Sequence, residues 1–216
     1  MMKYINFILL VLLFLNAANN SAELKENPEL DALVKAFLNS DVRWRDMNVP
    51  TTDGQLLYDL IIKGGYTRAL EIGTSTGHSA IWMAWALSKT GGKLITIEID
   101  EGRHKEALEN FAKAGVSEYI DARLANAHDL VPALKGQFDF VFSDADKGWY
   151  KQYFLDVDPK LVVGGCFTAH NISSGRRRSG GGTQEFFEYI KSLSNYETTL
   201  DTHGSGLSIS YKKAKE

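Results

Sequence analysis

A chain of 216 residues with 44% hydrophobic and 24% charged side chains can bury one sizeable core. Its formal net charge of −3 offers no electrostatic basis for nucleic acid or an anionic membrane surface as the main partner. The single cysteine, Cys166, excludes an internal disulfide and a cysteine-built zinc site, and its apolar setting, LVVGGCF, predicts a buried structural thiol.

In chain order, the first segment differs in kind from the rest. One lysine precedes an unbroken apolar run, Phe7 to Leu15, and the small polar stretch AANNSA follows. That is the layout of an export signal, too short to span a bilayer comfortably, with no clean A-x-A before Glu23. Residues 1–22 are therefore read as a signal-like or anchoring segment, with possible N-terminal membrane association. The alternative is an apolar helix packed on the domain or on a partner subunit. Residues 23–216 are read as a single domain.

PELDALVKAFLNSDV has apolar residues at helical spacing, with Pro28 at a helix start. DGQLLYDLIIKGG is a second helix, with Asp53 as candidate cap and Gly64-Gly65 as stop. Strands and helices then alternate. TRALEIG, KLITIEID, YIDARLA, FDFVFSDA and VVGGCFTAH read as strands. HSAIWMAWALSKTGG, EGRHKEALENFAKAG, AHDLVPALKG and GWYKQYFLDVDPKL read as the helices between them. The glycine-rich loop SSGRRRSGGG leads into the helix TQEFFEYIKSL. The ending, YETTLDTHGSGLSISYKK, reads as two strands joined by a glycine turn. The pattern predicts an α/β fold, a mostly parallel sheet with helices on both faces and an antiparallel C-terminal edge.

Such sheets bind ligands beyond the carboxyl ends of their strands. At the first of these ends, Gly73 to Gly77 has the spacing G-x-x-x-G, with Ser75 where a dinucleotide turn needs glycine. A nicotinamide-dependent reading is therefore poor. The acidic Glu71 before the turn and the lack of a following lysine disfavour phosphate and suit a cationic ligand, such as an ammonium or a sulfonium. The alternative is a turn that only joins strand to helix. Glu98, at the end of the second strand, can accept hydrogen bonds from both ribose hydroxyls, while Asp100 suits a helix cap. Asp144, Asp146 and Lys147 follow the strand FDFVF, and His170 and Asn171 end the next one. Asp144, His170 and Asn171 could meet at one divalent metal.

These blocks together resemble the class I S-adenosylmethionine-dependent O-methyltransferases of the catechol and caffeoyl-CoA type. The likeness runs from about Met47 to the C-terminus, through MNVPTTDGQLL, LEIGTSTGHSA, ITIEID, ANAHDLVPAL, FDFVFSDADKGWY, GGCFTAHN and GSGLSIS. It implies a Rossmann-like methyltransferase fold with a seven-stranded sheet, and a homodimer. It implies that Val49, Glu71, Gly73 and Thr74 line the methionine part of S-adenosylmethionine, with Ser79 on its carboxylate. Glu98 would hold the ribose, Ala127 and His128 would border the adenine, and Asp144 would also bind the cofactor. Asp144 and Asn171 would ligate a divalent metal, usually magnesium. Lys147 would stand beside the acceptor hydroxyl, with Trp149 and Tyr150 as walls.

One departure matters: His170 stands where the family usually has an aspartate. Imidazole suits manganese, zinc, nickel or iron better than magnesium. Either the metal preference has moved or metal binding is weak. A phenol has a pKa of about 10; a metal chelating two adjacent oxygens lowers it, which points to catechol-type acceptors. Lys147 and Asp144 are the expected catalytic residues, Lys147 taking the proton; the alternative is a lysine that only pairs with Asp144 or Asp146. The rival class is a catalytically impaired, cofactor-binding scaffold or sensor. On location the two signals conflict, because the N-terminus suggests export or anchoring and the resemblance suggests the cytoplasm. The Arg176–Arg178 run reads as a solvated, mobile loop that could cover an acceptor.

Overall fold

The structure, a computed structural model, describes residues 23–40, 44, 47–173 and 181–215. The expected N-terminal segment and the arginine run lie outside the described residues. Among the described residues no helix is long and apolar enough to cross a membrane.

Helix α1 (Pro28–Leu38) begins as expected, with Pro28 in its first turn and the Asn27 side chain accepting from Leu30 N at 3.1 Å. Helix α2 (Thr51–Gly64) begins two residues before Asp53, behind Pro50, and ends on Gly65 in the left-handed region. The expected Asp53 cap is therefore corrected: proline fits the helix entry, and the Asp53 carboxylate is used elsewhere. Strand β1 (Arg68–Ile72), helix α3 (His78–Thr90), strand β2 (Lys93–Glu98) and helix α4 (Glu101–Lys113) follow. Asp100 caps α4, accepting from Arg103 N at 2.8 Å, as its position predicted. Strand β3 (Ile120–Leu124) completes the second crossover, and helix α5 (Ala127–Ala133) with strand β4 (Phe138–Ser143) makes the third.

The expected helix after β4 is broken into pieces. Helix α6 covers only Tyr150–Val157, and a short 3₁₀ turn, Asp158–Lys160, replaces its end. Pro159 lacks the N–H that a continuing helix would need. Strand β5 (Leu161–His170), helix α7 (Gly182–Ser192) and strands β6 (Tyr196–Asp201) and β7 (Leu207–Lys212) end the fold.

The seven strands lie in the order β3-β2-β1-β4-β5-β7-β6. All pairs from β3 to β5 are parallel, and β7 inserts antiparallel between β5 and β6. β1 and β4 are adjacent, so successive strands depart to opposite sides there, which is where such sheets open a crevice. Two apolar layers cover the sheet. Leu57, Ile61, Met83 and Leu87 of α2 and α3 pack on one side, and Phe154, Phe186 and Ile190 of α6 and α7 on the other. Each of these side chains contributes about 1.5–3 kcal/mol by leaving water. Cys166 is buried in β5 and free, as its setting predicted.

Candidate active site

The carboxyl ends of β1, β2, β4 and β5 open into a cavity of about 530 Å³. At its floor, β1 turns through Gly73 (φ 100°), Ser75 (φ 49°) and Gly77 (φ 96°) into α3. Gly73 N and Thr74 N both donate to Ile97 O, at 3.0 and 3.1 Å, which hangs the turn on the end of β2. A Cβ on Gly73 would lie 2.6 Å from the carbonyl oxygen of Asp144, so only glycine lets β1 pass the tip of β4.

Glu71 lies beneath this turn and is fully buried. It is hydrogen-bonded to Ser79 Oγ and to Thr96 Oγ1, its register partner on β2, both at 2.5 Å. Burial pushes its carboxyl up to about 8; the two hydroxyl bonds work against the rise, and the charges of Asp144 and Glu98 add to it. Glu71 is therefore neutral at pH 7, its own O–H donating to one of the two hydroxyl oxygens. It pins the turn from below, instead of presenting the expected charge to a ligand. Ser79 and Thr74 reach the cavity, as does Gly73. Val49 does not line it: Val49 is packed in the core, and its carbonyl accepts from His78 Nδ1 at 2.8 Å. Met47 and Asn48 line the wall in its place.

Glu98 is buried with its carboxylate held by backbone donors. Oε2 accepts from Ser75 N at 2.7 Å, and Oε1 from Ile99 N and Asp100 N at 3.0 Å each. Three amides fix its direction and leave one acceptor site, on Oε2, for the cavity that it lines. Across from it, Asn126 caps α5 by accepting from His128 N at 3.0 Å, which puts Ala127 and His128 on the wall. The His128 ring stacks on Trp149, with centroids 3.7 Å apart and an interplanar angle of 11°. Asp146, 3.4 Å from His128 Nε2, belongs to this end.

At the other end, Asp144, Lys147, His170 and Asn171 come together as the sequence suggested. Lys147 Nζ donates to Asp144 Oδ1 and, at 2.8 Å, to the Tyr150 hydroxyl. Tyr150 is buried, and burial holds its phenol well above the ordinary value. Sequence reasoning missed Met47, Asn48, Asp53 and Ser205. Asn48 ties its loop to the turn through Thr76 Oγ1 at 2.9 Å, and Asp53 reaches His170 across 117 positions. A local pattern carries no signal for either contact. Backbone strain does mark the site. The non-glycine residues with positive φ among the described residues are Met47, Ser75 and Asn171, and all three line the cavity.

The donor set does not fit a divalent cation. His170 Nδ1 lies 3.0 Å from Asp144 Oδ2, and its Nε2 lies 2.8 Å from Asp53 Oδ2. Two carboxylates accept from the two ring nitrogens only if both carry hydrogen, and such a ring has no lone pair for a metal. Burial lowers the His170 pKa, but hydrogen bonds to Asp144 and Asp53 outweigh it and raise it to about 9. Asp144 already faces an ammonium and an imidazolium. Among the described residues no three His, Cys, Asp or Glu side chains form a metal-binding group. The expected set of Asp144, His170 and Asn171 thus shares a cavity wall without forming a ligand sphere.

A sequence profile of the O-methyltransferase family matches residues 18–173. A catechol O-methyltransferase from Niastella koreensis is 44% identical over 89 residues, covering 39% of this chain and 40% of that protein. A caffeoyl-CoA O-methyltransferase from Populus kitakamiensis is 30% identical over 151 residues, covering 68% of this chain and 64% of that protein. The matches thus span 40% and 64% of these curated relatives. Among solved structures, the O-methyltransferase TomG from Streptomyces achromogenes, in complex with S-adenosylmethionine, superposes with a TM-score of 0.71 at 28% identity, covering 88% of this chain and 92% of that one. An O-methyltransferase from Bacillus cereus, in complex with S-adenosylhomocysteine, gives a TM-score of 0.71 at 25% identity, with the same coverage.

Proposed function

The chain belongs to the O-methyltransferase family, and on that footing we propose that it transfers a methyl group from S-adenosylmethionine to one hydroxyl of a small catechol-type phenol. The observation that carries this reading is the single cavity running from Glu98 to Lys147. Its volume of about 530 Å³ lies within the range for small-molecule sites, roughly 300–1,000 Å³. One end offers groups suited to a nucleoside and the other a charged cluster suited to an acidic hydroxyl.

S-adenosylmethionine, when bound, supplies an electrophilic methyl group on positive sulfur. Glu98 accepts from a ribose hydroxyl through Oε2, with an orientation already set by three backbone amides. Ala127 and His128 border the adenine. Gly73, Thr74 and Ser79 hold the amino-acid end, with Asn48 on the wall first assigned to Val49 and with Glu71 supporting the turn from below. Asp144 and Lys147 face the acceptor. The acceptor oxygen forms its bond to the methyl carbon as the carbon–sulfur bond breaks, the electron pair staying on sulfur. The hydroxyl proton passes to water, and the Lys147 ammonium stabilises the oxyanion that attacks. Asp144 sets the position of the Lys147 head group. The working form is a homodimer, which light scattering of the purified chain would check.

The second reading, a cofactor-binding protein without turnover, is favoured by a donor set that does not fit the metal of the related enzymes. Mass spectrometry of a phenol and catechol panel incubated with S-adenosylmethionine separates the two. Methylated product supports the enzyme. Tight cofactor binding by calorimetry with no product from any acceptor would leave the scaffold.

A further inference from the structure

A buried cationic side chain sits where the tips of β4 and β5 meet the first turn of α2. His170 is 4% exposed and Asp53 2% exposed. Asp53 Oδ2 accepts from both His170 Nε2, at 2.8 Å, and Ser205 N, at 2.9 Å. The turn before β7 is shaped around this carboxylate: a Cβ on Gly204 would lie 1.6 Å from Asp53 Oδ1. Asp144 divides its oxygens, Oδ2 to His170 and Oδ1 to Lys147. Two carboxylates therefore face two side-chain cations, and the cluster is electrically balanced by the chain alone. Adding a dication would require His170 to lose a proton and swing away from one carboxylate, leaving that carboxylate buried without its partner. Isolating a buried charge in this way is strongly unfavourable.

We propose that His170, clamped as an imidazolium between Asp53 and Asp144, is the fixed cation of the acceptor site, with Asp53 as its positioning residue, so that the site works without a divalent metal. The imidazolium and the Lys147 ammonium together supply the positive field beside the acceptor hydroxyl. Such a field favours the oxyanion over the phenol. The part concerning the acceptor rests on the methyl-transfer reading above; the clamp and the exclusion of a dication do not.

The decisive measurement needs no variant. Manganese(II) is titrated into the full-length protein, with and without S-adenosylmethionine, and free ion is followed by its electron paramagnetic resonance signal. The wild type is expected to leave the free signal undiminished at equimolar ion, and the double substitution Asp53→Asn with His170→Asp to bind one ion at least tenfold more tightly. Uptake of one equivalent by the wild type overturns the proposal. In nitrogen-15 spectra at pH 7.5, both His170 ring nitrogens are expected to carry protons, and Asp53→Asn to shift the ring toward the neutral form. A wild-type ring already neutral overturns the clamp. Methylation, once an acceptor is found, is expected to stay within twofold after chelation; a tenfold loss restored by magnesium or manganese refutes metal independence. Absence of methylation with every acceptor counts against the methyl-transfer reading alone, because the manganese and nitrogen-15 results judge the clamp separately.

Discussion

Replacing Glu71 with glutamine should make the protein increasingly more stable than the wild type as pH rises. In the folded chain this carboxyl titrates at about 8, against an ordinary value of 4.5. Between those two values the folded state holds a proton that the unfolded state has released. The wild type therefore loses stability as pH rises from 4.5 to 8, and the loss levels off above that. Each pH unit corresponds to about 1.4 kcal/mol, so the wild type forfeits about 3 kcal/mol by pH 7, about 4 by pH 8 and about 5 on the plateau above it, relative to acid. Glutamine keeps the shape of the protonated carboxyl and has no proton to lose. The hydroxyls of Ser79 and Thr96 can rotate to suit its amide. Urea unfolding of both proteins at pH 5, 6, 7 and 8, followed by tryptophan fluorescence, gives the difference at each pH. All other titrating groups are shared, so the slope of that difference isolates Glu71. A constant offset is immaterial, since it reflects only amide against carboxyl. A difference that stays flat between pH 5 and 8 would refute the reasoning. It would mean that Glu71 is an ionised carboxylate held by the two hydroxyls.

Three further outcomes test the site. Gly73→Ala should cost about 2–3 kcal/mol in unfolding free energy, because φ 100° is unfavourable for alanine and its Cβ meets the Asp144 carbonyl; a melting curve unchanged from the wild type counts against the close approach of β1 and β4. Glu98→Ala should weaken S-adenosylmethionine binding about 10- to 100-fold by calorimetry, the loss expected for a charged hydrogen-bond acceptor; unaltered affinity removes Glu98 from the ribose role. Lys147→Met should lower kcat about 100-fold while cofactor affinity stays within twofold; a parallel loss of cofactor binding would place Lys147 at the nucleoside end instead.

The strand–helix alternation, the glycine turn after β1 and the helix starts at Pro28 and Asp100 were all legible in the sequence. Each is written in neighbouring residues, through side-chain periodicity, a glycine or a cap. The strand tips that face the cavity followed from the same pattern, so Glu98, Asp144, Lys147 and His170 were legible in the sequence. The break at Pro159 was also local, since a proline inside a helical pattern marks a stop. Tertiary structure alone inserted β7 between β5 and β6 and brought Asp53 to His170. It also decided the protonation of Glu71 and His170, which reverses what their residue types suggest: the acid is neutral and the imidazole charged. Charge state depends on how much water folding removes and which partners it brings within about 3 Å. Those partners come from positions up to 117 residues away, where no pattern along the chain records them.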